Sequence, residues 1–247
     1  AFISEDGYTL VSFDYSQIEL RVAAILSGDE KLIEIFKNGI DVHTGVAAQV
    51  FGVAEKDVTK EMRRQAKVIN FGILYGMGVN ALKANLGSTQ AEARAFYDDY
   101  FKNFSGVAEY LNKVKFETAQ SGYTETLFGR RRYFEGINSK LPFIRAAAER
   151  MAINAPVQGT SADMVKIAMK VVYAKLQALG MLNDVRLLLQ VHDELVFEIR
   201  TPEVKKMAIM IKQTMESVLT EEQSKGVPIV TSANAGKNWN KMEALEL

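Results

Sequence analysis

Residues 185–200, Val-Arg-Leu-Leu-Leu-Gln-Val-His-Asp-Glu-Leu-Val-Phe-Glu-Ile-Arg, hold two apolar, strand-like runs on either side of His192-Asp193-Glu194. The pattern reads as a β-hairpin with its acidic groups at the tip. A tight turn accommodates His-Asp for purely local reasons, so the tip alone does not define a site. Arms this apolar predict a covered sheet rather than a surface ribbon, with the carboxylates pushed toward a ligand. Residues 8–14, Tyr-Thr-Leu-Val-Ser-Phe-Asp, form a second strand, because β-branched and aromatic residues dominate and no helical period is present. Ser16 and Glu19 have capping-box spacing and open a helix that stops at Ser27-Gly28. The box by itself accounts for Glu19. Asp14 then stands at a strand-to-helix turn, a position used by functional carboxylates and by simple Asx turns alike. Residues 227–235 read as a last strand before Gly236-Lys237-Asn238-Trp239.

Between these strands the periodicity is helical. Short helices are expected over 30–37, ending at Asn38-Gly39, and over 44–51, ending at Gly52, with His43 just before the second as a capping or turn residue. Thr59 is an N-cap for the next helix, on which Arg63, Lys67, Phe71 and Tyr75 step by four and make one stripe about 18 Å long at ~1.5 Å per residue. Ala66, Ile69 and Ile73 face the other way, toward a core. Lys60, Arg63 and Arg64 crowd the end where the helix dipole is already positive, an arrangement that makes sense if an anion docks there. The alternative is an amphipathic helix with solvated cations and two core aromatics. Further helices are expected over 89–103, with a Thr89/Glu92 box, and 106–121, ended by Gly122. Residues 123–134 read as two short strands hinged near Gly129. There Arg130, Arg131 and Arg132 form the densest basic cluster, suited to phosphate contact or to a solvated turn. A helix from Phe143 to Pro156 and another from Thr160/Ser161 to Leu179-Gly180 follow, with Thr160 and Asp163 again at box spacing. Arg150, Asn154 and Gln158 line one side as a donor stripe or a wet face. An amphipathic helix over 203–222 completes the set.

Composition narrows the function classes. Hydrophobic residues make up 48% and charged residues 24% of the 247, as in ordinary globular proteins. No apolar run approaches the ~20 residues of a membrane helix, and the start, Ala-Phe-Ile-Ser-Glu-Asp-Gly, lacks a secretory layout, so the expectation is a soluble, intracellular protein. The absence of cysteine excludes disulfides, cysteine zinc sites and thiol catalysis. Net charge is zero, yet residues 60–150 hold 15 Lys/Arg against 9 Asp/Glu, a basic middle between acidic ends. Such a distribution fits a polyanion surface combined with a carboxylate metal site.

Nucleotidyl transfer needs these parts. A 3′-hydroxyl attacks an α-phosphate while pyrophosphate leaves, and two divalent ions can stabilise both oxygens. Hard Mg²⁺ requires carboxylates on rigid elements, available at Asp14 and Asp193. Arg63 and Lys67 qualify as the cations a triphosphate needs, and Phe71 and Tyr75 as a stacking wall.

Three segments carry a family resemblance: Asp-Tyr-Ser-Gln-Ile-Glu-Leu-Arg (14–21), Arg-Arg-Gln-Ala-Lys-Val-Ile-Asn-Phe-Gly-Ile-Leu-Tyr-Gly (63–76) and Val-His-Asp-Glu (191–194). In order and spacing they resemble the signature motifs of family A DNA polymerases, the bacterial DNA polymerase I type, as do Thr-Leu-Phe-Gly-Arg-Arg-Arg (126–132) and Asn-Ala-Pro-Val-Gln-Gly-Thr (154–160). The resemblance implies an α+β fold: a palm with an antiparallel sheet, in two parts at 1–38 and 150–247, plus helical fingers at 39–149 that close over a nucleotide. It implies two Mg²⁺ ions, with Mn²⁺ as a substitute, on Asp14, Asp193 and the Tyr15 backbone, with Glu194 in support. Arg63, Lys67 and His43 would hold the triphosphate, and Lys67 would protonate the leaving pyrophosphate. Phe71 would pack on the incoming nucleotide, Tyr75 would stand by the templating position, and Glu19 would exclude a ribose 2′-hydroxyl. Gln17 joins this substrate-binding set. Arg150, Asn154, Gln158, His192 and the three hairpin arginines would contact primer–template DNA. By the same resemblance the partners are primer–template DNA and deoxynucleoside triphosphates. The protein would be a monomer, with thumb and exonuclease domains in a longer parent. The rival classes are a single-subunit RNA polymerase, which Glu19 opposes, and a non-catalytic nucleic-acid-binding module, which Asp14, Asp193 and Lys67 together oppose.

Overall fold

The computed structural model describes residues 2–247, apart from the side chain of Leu74. In chain order the elements are β1 (Tyr8–Tyr15), α1 (Ile18–Ser27), α2 (Glu30–Lys37), α3 (Val42–Phe51), α4 (Lys60–Leu74), α5 (Val79–Leu86), α6 (Gln90–Asn103), α7 (Ser105–Ser121), β2 (Tyr123–Glu125) and β3 (Arg131–Tyr133). There follow α8 (Pro142–Ala178), β4 (Val185–Val191), β5 (Glu194–Arg200), α9 (Val204–Glu216), α10 (Glu221–Ser224), β6 (Thr231–Asn238) and β7 (Lys241–Ala244). Contacts divide the chain into two compact units, one made of the chain up to Ile18, Ser161–Ser224 and Pro228–Leu247, the other of Glu19–Thr160 with Lys225–Val227.

The first unit is built on an antiparallel sheet in the order β4-β5-β1-β6-β7. Its central strand, β1, buries Leu10, Val11, Ser12 and Phe13 in succession, because both faces are covered and alternation is lost. Val11 pairs with Phe197, and the rings of Phe13 and Phe197 meet edge to face at 5.8 Å. Helix α9 packs on β1, β5 and β6 through an apolar side that includes Met207, Ala208, Ile211 and Met215. The hairpin forms as expected, but its arms differ. The arm β5 is buried, whereas β4 is the sheet's edge and leaves Leu187 and Leu188 38% and 43% exposed. Apolarity alone could not distinguish an edge from a centre.

The last strands are displaced from the expected 227–235. Val227 and Ile229 are buried ahead of the ladder, which begins where Thr231 pairs with Tyr15 and continues through Gly236 to Asn238. Gly236 is a close-approach residue of the β6–β7 bulge rather than a strand end, since a Cβ there would lie 2.6 Å from the Lys241 carbonyl oxygen. The helix expected over 203–222 stops at Glu216. Thr220 and Gln223 then cap each other reciprocally, N–H to side chain at 3.0 and 3.2 Å, and start α10.

The second unit is mainly helical. Ala66, Ile69 and Ile73 of α4 are buried as expected, and the rings of Phe51 with Phe96 and of Tyr100 with Phe104 pack at 5.3 and 5.0 Å. The Thr59 cap, the Thr89/Glu92 box and the left-handed Gly122 all form. The β2–β3 ribbon also forms, with Thr124 opposite Arg132.

Three local expectations fail. Helix α1 starts at Ile18, so Ser16 lies too early to cap it, and Glu19 instead accepts a hydrogen bond from Tyr75. The break expected between Pro156 and Thr160 is absent. Helix α8 runs through Pro156, and Thr160 Oγ1 accepts from the Leu127 N–H rather than capping a new helix. His43 lies inside α3, because Asp41 is the cap and accepts from Thr44 N and Oγ1, each at 2.9 Å.

Candidate functional site

In the sheet unit, register brings the acidic residues together. Asp14 pairs directly with Glu194, and the Tyr15 N–H donates to the Asp193 carbonyl at 3.4 Å, so the end of β1 abuts the hairpin turn. Burial, then the charges of Asp193 and Glu194, raise the Asp14 carboxyl to about 6. Its charged neighbours are of its own sign, so the cluster is electrostatically incomplete.

The surrounding groups fix this cluster. Trp239 Nε1 donates to Glu194 Oε1 at 3.2 Å, and Gln190 Nε2 braces the turn through the His192 carbonyl at 2.9 Å. The Tyr15 ring is buried and its hydroxyl donates to the Met215 carbonyl at 2.8 Å, which anchors the backbone beside Asp14. Burial, reinforced by Glu216, keeps that hydroxyl protonated. Two non-glycine residues next to these carboxylates hold left-handed backbones, Gln17 at φ +53° and His192 at φ +55°. Such conformations cost roughly 1–3 kcal/mol and persist where the surroundings overdetermine them.

In the helical unit, Arg63 and Lys67 are exposed on α4, Phe71 is half-buried, and Tyr75 caps the helix with 45% of its surface open. Arg63 is already engaged: Nε and Nη2 donate to Asp41 Oδ1 and Oδ2 at 2.9 and 3.0 Å, leaving the guanidinium's other N–H groups available. Burial would raise the Asp41 carboxyl, but hydrogen bonds from Arg63 and Thr44 outweigh it and hold it at about 2. His43 is buried and its ring lies 5.7 Å from that of Phe71. Asn70 Nδ2 stands 3.2 Å from His43 Nδ1. Burial first, and Arg63 and Lys67 next, lower the His43 pKa against an opposing pull from Asp41.

The far end of α4 forms a second cluster. The Tyr75 hydroxyl donates to Glu19 Oε2 at 3.1 Å and is also hydrogen-bonded with Gln158. Gly76, at φ +67°, lies so close to Arg150 that a Cβ would sit 2.8 Å from Arg150 Cγ. Asn154 is half-buried on the same helix, between Arg150 and Gln158. On the ribbon, Arg130 donates to the Gly159 carbonyl at 3.0 Å, Arg131 pairs with Glu125 and lies over Tyr123, and Arg132 lies over Phe134.

Sequence reasoning missed Asp41, Asn70 and Trp239. A signal existed for two of them: Asp41 is a cap-type residue directly before the Val42–Phe51 pattern, and Asn70 is polar among the core-facing positions of α4.

An antiparallel sheet that clusters carboxylates, together with a helical unit bearing a cationic and aromatic helix, defines the palm-and-fingers class of fold. The profile of DNA polymerase family A matches residues 1–241. The chain is 46% identical over 239 residues to the thermostable DNA polymerase I of Thermus thermophilus, covering 97% of this chain and 28% of the relative. It is 45% identical to the DNA polymerase I of Pseudomonas aeruginosa over 98% of this chain and 26% of the relative. A solved structure described as the POL domain of Pol1 from M. smegmatis in complex with DNA primer-template and dNTP superposes with a TM-score of 0.91 at 39% identity, covering 97% of this chain and 41% of that one. This chain belongs to DNA polymerase family A. It spans about a quarter of the length of the curated relatives it matches.

Proposed function

We propose that the chain carries the catalytic chemistry of a template-directed DNA polymerase, extending a primer 3′ end with deoxynucleotides and releasing pyrophosphate. The observation behind this reading is the juxtaposition of Asp14, Asp193 and Glu194 in a family A chain. The donor set suits hard cations, because half-buried carboxylates that repel one another gain from a divalent ion. Among the described residues no group of three or more His, Cys, Asp or Glu makes a ready metal cage. Mg²⁺ takes one or two carboxylates and completes its shell with water and phosphate oxygens. Asp14, Asp193 and the Tyr15 backbone would hold two Mg²⁺ ions, or Mn²⁺, with Glu194 in support. When bound, such ions stabilise charge on the attacking and leaving oxygens.

The remaining roles fall to the chain's own side chains. Arg63 and Lys67 bind the triphosphate, and Lys67 gives a proton to the departing pyrophosphate. Phe71 packs on the incoming sugar and base, Tyr75 stands at the template side, and Glu19, oriented by the Tyr75 hydroxyl, excludes a ribose 2′-hydroxyl. Gln17 supports the substrate from its left-handed position. Only 3% of His43 is exposed, so it can offer an anion no more than one ring edge. Arg130, Arg131, Arg132, Arg150, Asn154, Gln158 and His192 contact primer–template DNA. The palm is assigned to 1–38 with 150–247 and the fingers to 39–149, with thumb and exonuclease functions assigned to other parts of a full-length, monomeric protein. Primer extension with Mg²⁺ by the full-length protein tests this reading. Asp193→Ala is expected to reduce the rate at least ~10³-fold, in line with the loss of a principal electrostatic group. Equal extension by the variant would overturn the assignment.

A further inference from the structure

Asn70 is 1% exposed on a side of α4 otherwise made of Ala66, Ile69 and Ile73. A buried primary amide at such a place is costly unless it is satisfied, and Asn70 is only half satisfied. Its Nδ2 stands 3.2 Å from His43 Nδ1, while its Oδ1 is buried without a hydrogen-bond partner. An apolar side chain of similar size would remove that cost. The one interaction the amide does make is therefore the reason to look for its purpose.

An amide nitrogen can only donate, so His43 Nδ1 must accept, and an imidazole that accepts at Nδ1 carries its proton at Nε2. The opposite orientation, with Oδ1 facing the ring, would require a proton on Nδ1. The ring would then either present a bare Nε2 lone pair to any approaching anion or become an imidazolium in a buried place beside Arg63 and Lys67. Asp41 at the start of α3 offsets part of that cationic field, but it is already bound to Arg63 and Thr44. Burial and the two α4 cations both oppose the charged ring.

We propose that Asn70 is a positioning residue that holds His43 as the neutral, Nε2-protonated imidazole, so that His43 offers the triphosphate a hydrogen bond and not a charge. The last clause rests on the nucleotide-binding reading above, whereas the tautomer itself does not. Charge recognition is thereby left to Arg63 and Lys67, and the strength of triphosphate binding is kept independent of pH across the range where an ordinary histidine titrates.

In ¹⁵N-histidine-labelled full-length protein, the ring signals that disappear in His43→Gln are those of His43. The expected spectrum shows a pyridine-type Nδ1 and a pyrrole-type Nε2 for His43, unchanged from about pH 6 to 8 around the ordinary histidine pKa. A pyrrole-type Nδ1, or a His43 that protonates within that range, overturns the proposal. Asn70→Asp should accept from Nδ1–H and make both ring nitrogens pyrrole-type at neutral pH, with a dNTP KM that becomes pH-dependent. Asn70→Leu should fold at least as stably while raising dNTP KM about 3–10-fold, the worth of one hydrogen bond, with kcat little changed. A folded Asn70→Leu with unaltered KM and His43 tautomer refutes the positioning role. If the full-length protein fails to extend a primer while His43 is Nε2-protonated, the polymerase reading falls and the control of the tautomer stands.

Discussion

Replacing Gly76 by alanine tests a close approach within the helical unit. Gly76 has φ +67°, where a side chain costs about 1 kcal/mol relative to glycine. The new Cβ would also sit 2.8 Å from Arg150 Cγ, 3.1 Å from its Cβ and 3.2 Å from its Cα. The Cγ could swing aside, but the Cα belongs to the continuous helix α8 and cannot retreat without moving the helix. Overpacking of this kind adds roughly 1–3 kcal/mol. Gly87→Ala is the matched control, since Gly87 has φ +66° and a methyl group there would meet nothing within 4 Å, so it carries the backbone cost alone. Urea unfolding followed by helical circular dichroism should place Gly76→Ala about 1–3 kcal/mol below Gly87→Ala. Equal losses would show that the Gly76–Arg150 contact is not a close-packed one. Because Arg150 is assigned to primer–template DNA, the same variant should also weaken duplex binding, which the control should leave alone.

Three further outcomes follow from the site. Glu19→Ala should raise ribonucleotide incorporation, measured as the ratio of kcat/KM for ribo- and deoxynucleotides, and an unchanged ratio would remove Glu19 from sugar selection. Phe71→Tyr should improve use of nucleotides lacking a 3′-hydroxyl, because the added hydroxyl can replace the missing group; unaltered dideoxynucleotide incorporation contradicts the assigned position of Phe71. Asp41 is held at about 2 in the folded chain against an ordinary 3.8, so its contribution is complete above pH ~4 and lost as pH falls toward 2. Because the carboxylate is over a third exposed, solvent screening reduces this contribution to about 1 kcal/mol. Acid unfolding of Asp41→Asn should therefore be less steep between pH 4 and 2 than that of the parent, and parallel curves would deny the Arg63 pairing its role.

Most local structure was legible because its causes are local. Thr59, the Thr89/Glu92 box and Gly122 satisfy or terminate helices through neighbours within a few residues. The Ser16/Glu19 and Thr160/Asp163 spacings look the same on paper but do not mark helix starts: α1 begins at Ile18, after the left-handed Gln17, with Glu19 accepting from Tyr75, and Thr160 lies inside the continuous α8, where it accepts from the Leu127 N–H. A capping motif describes what a side chain can do, and tertiary partners decide what it does.

Sequence by itself determined most of the elements, though not α5 or the continuity of α8, together with the amphipathic faces and, through three long motifs in order, the polymerase resemblance of the chain. Only the tertiary structure decided which of those residues meet. The pairing register sets Asp14 against Glu194, 180 residues away in the chain, and beside the turn at Asp193. Helix packing sets Arg63 on Asp41, Asn70 on His43 and Tyr75 on Glu19. Strand order makes β4 an edge although its sequence is as apolar as a central strand. The physical reason is that periodicity encodes which side of an element is buried, whereas register and packing choose the partner, and a pKa or a tautomer belongs to the partnership.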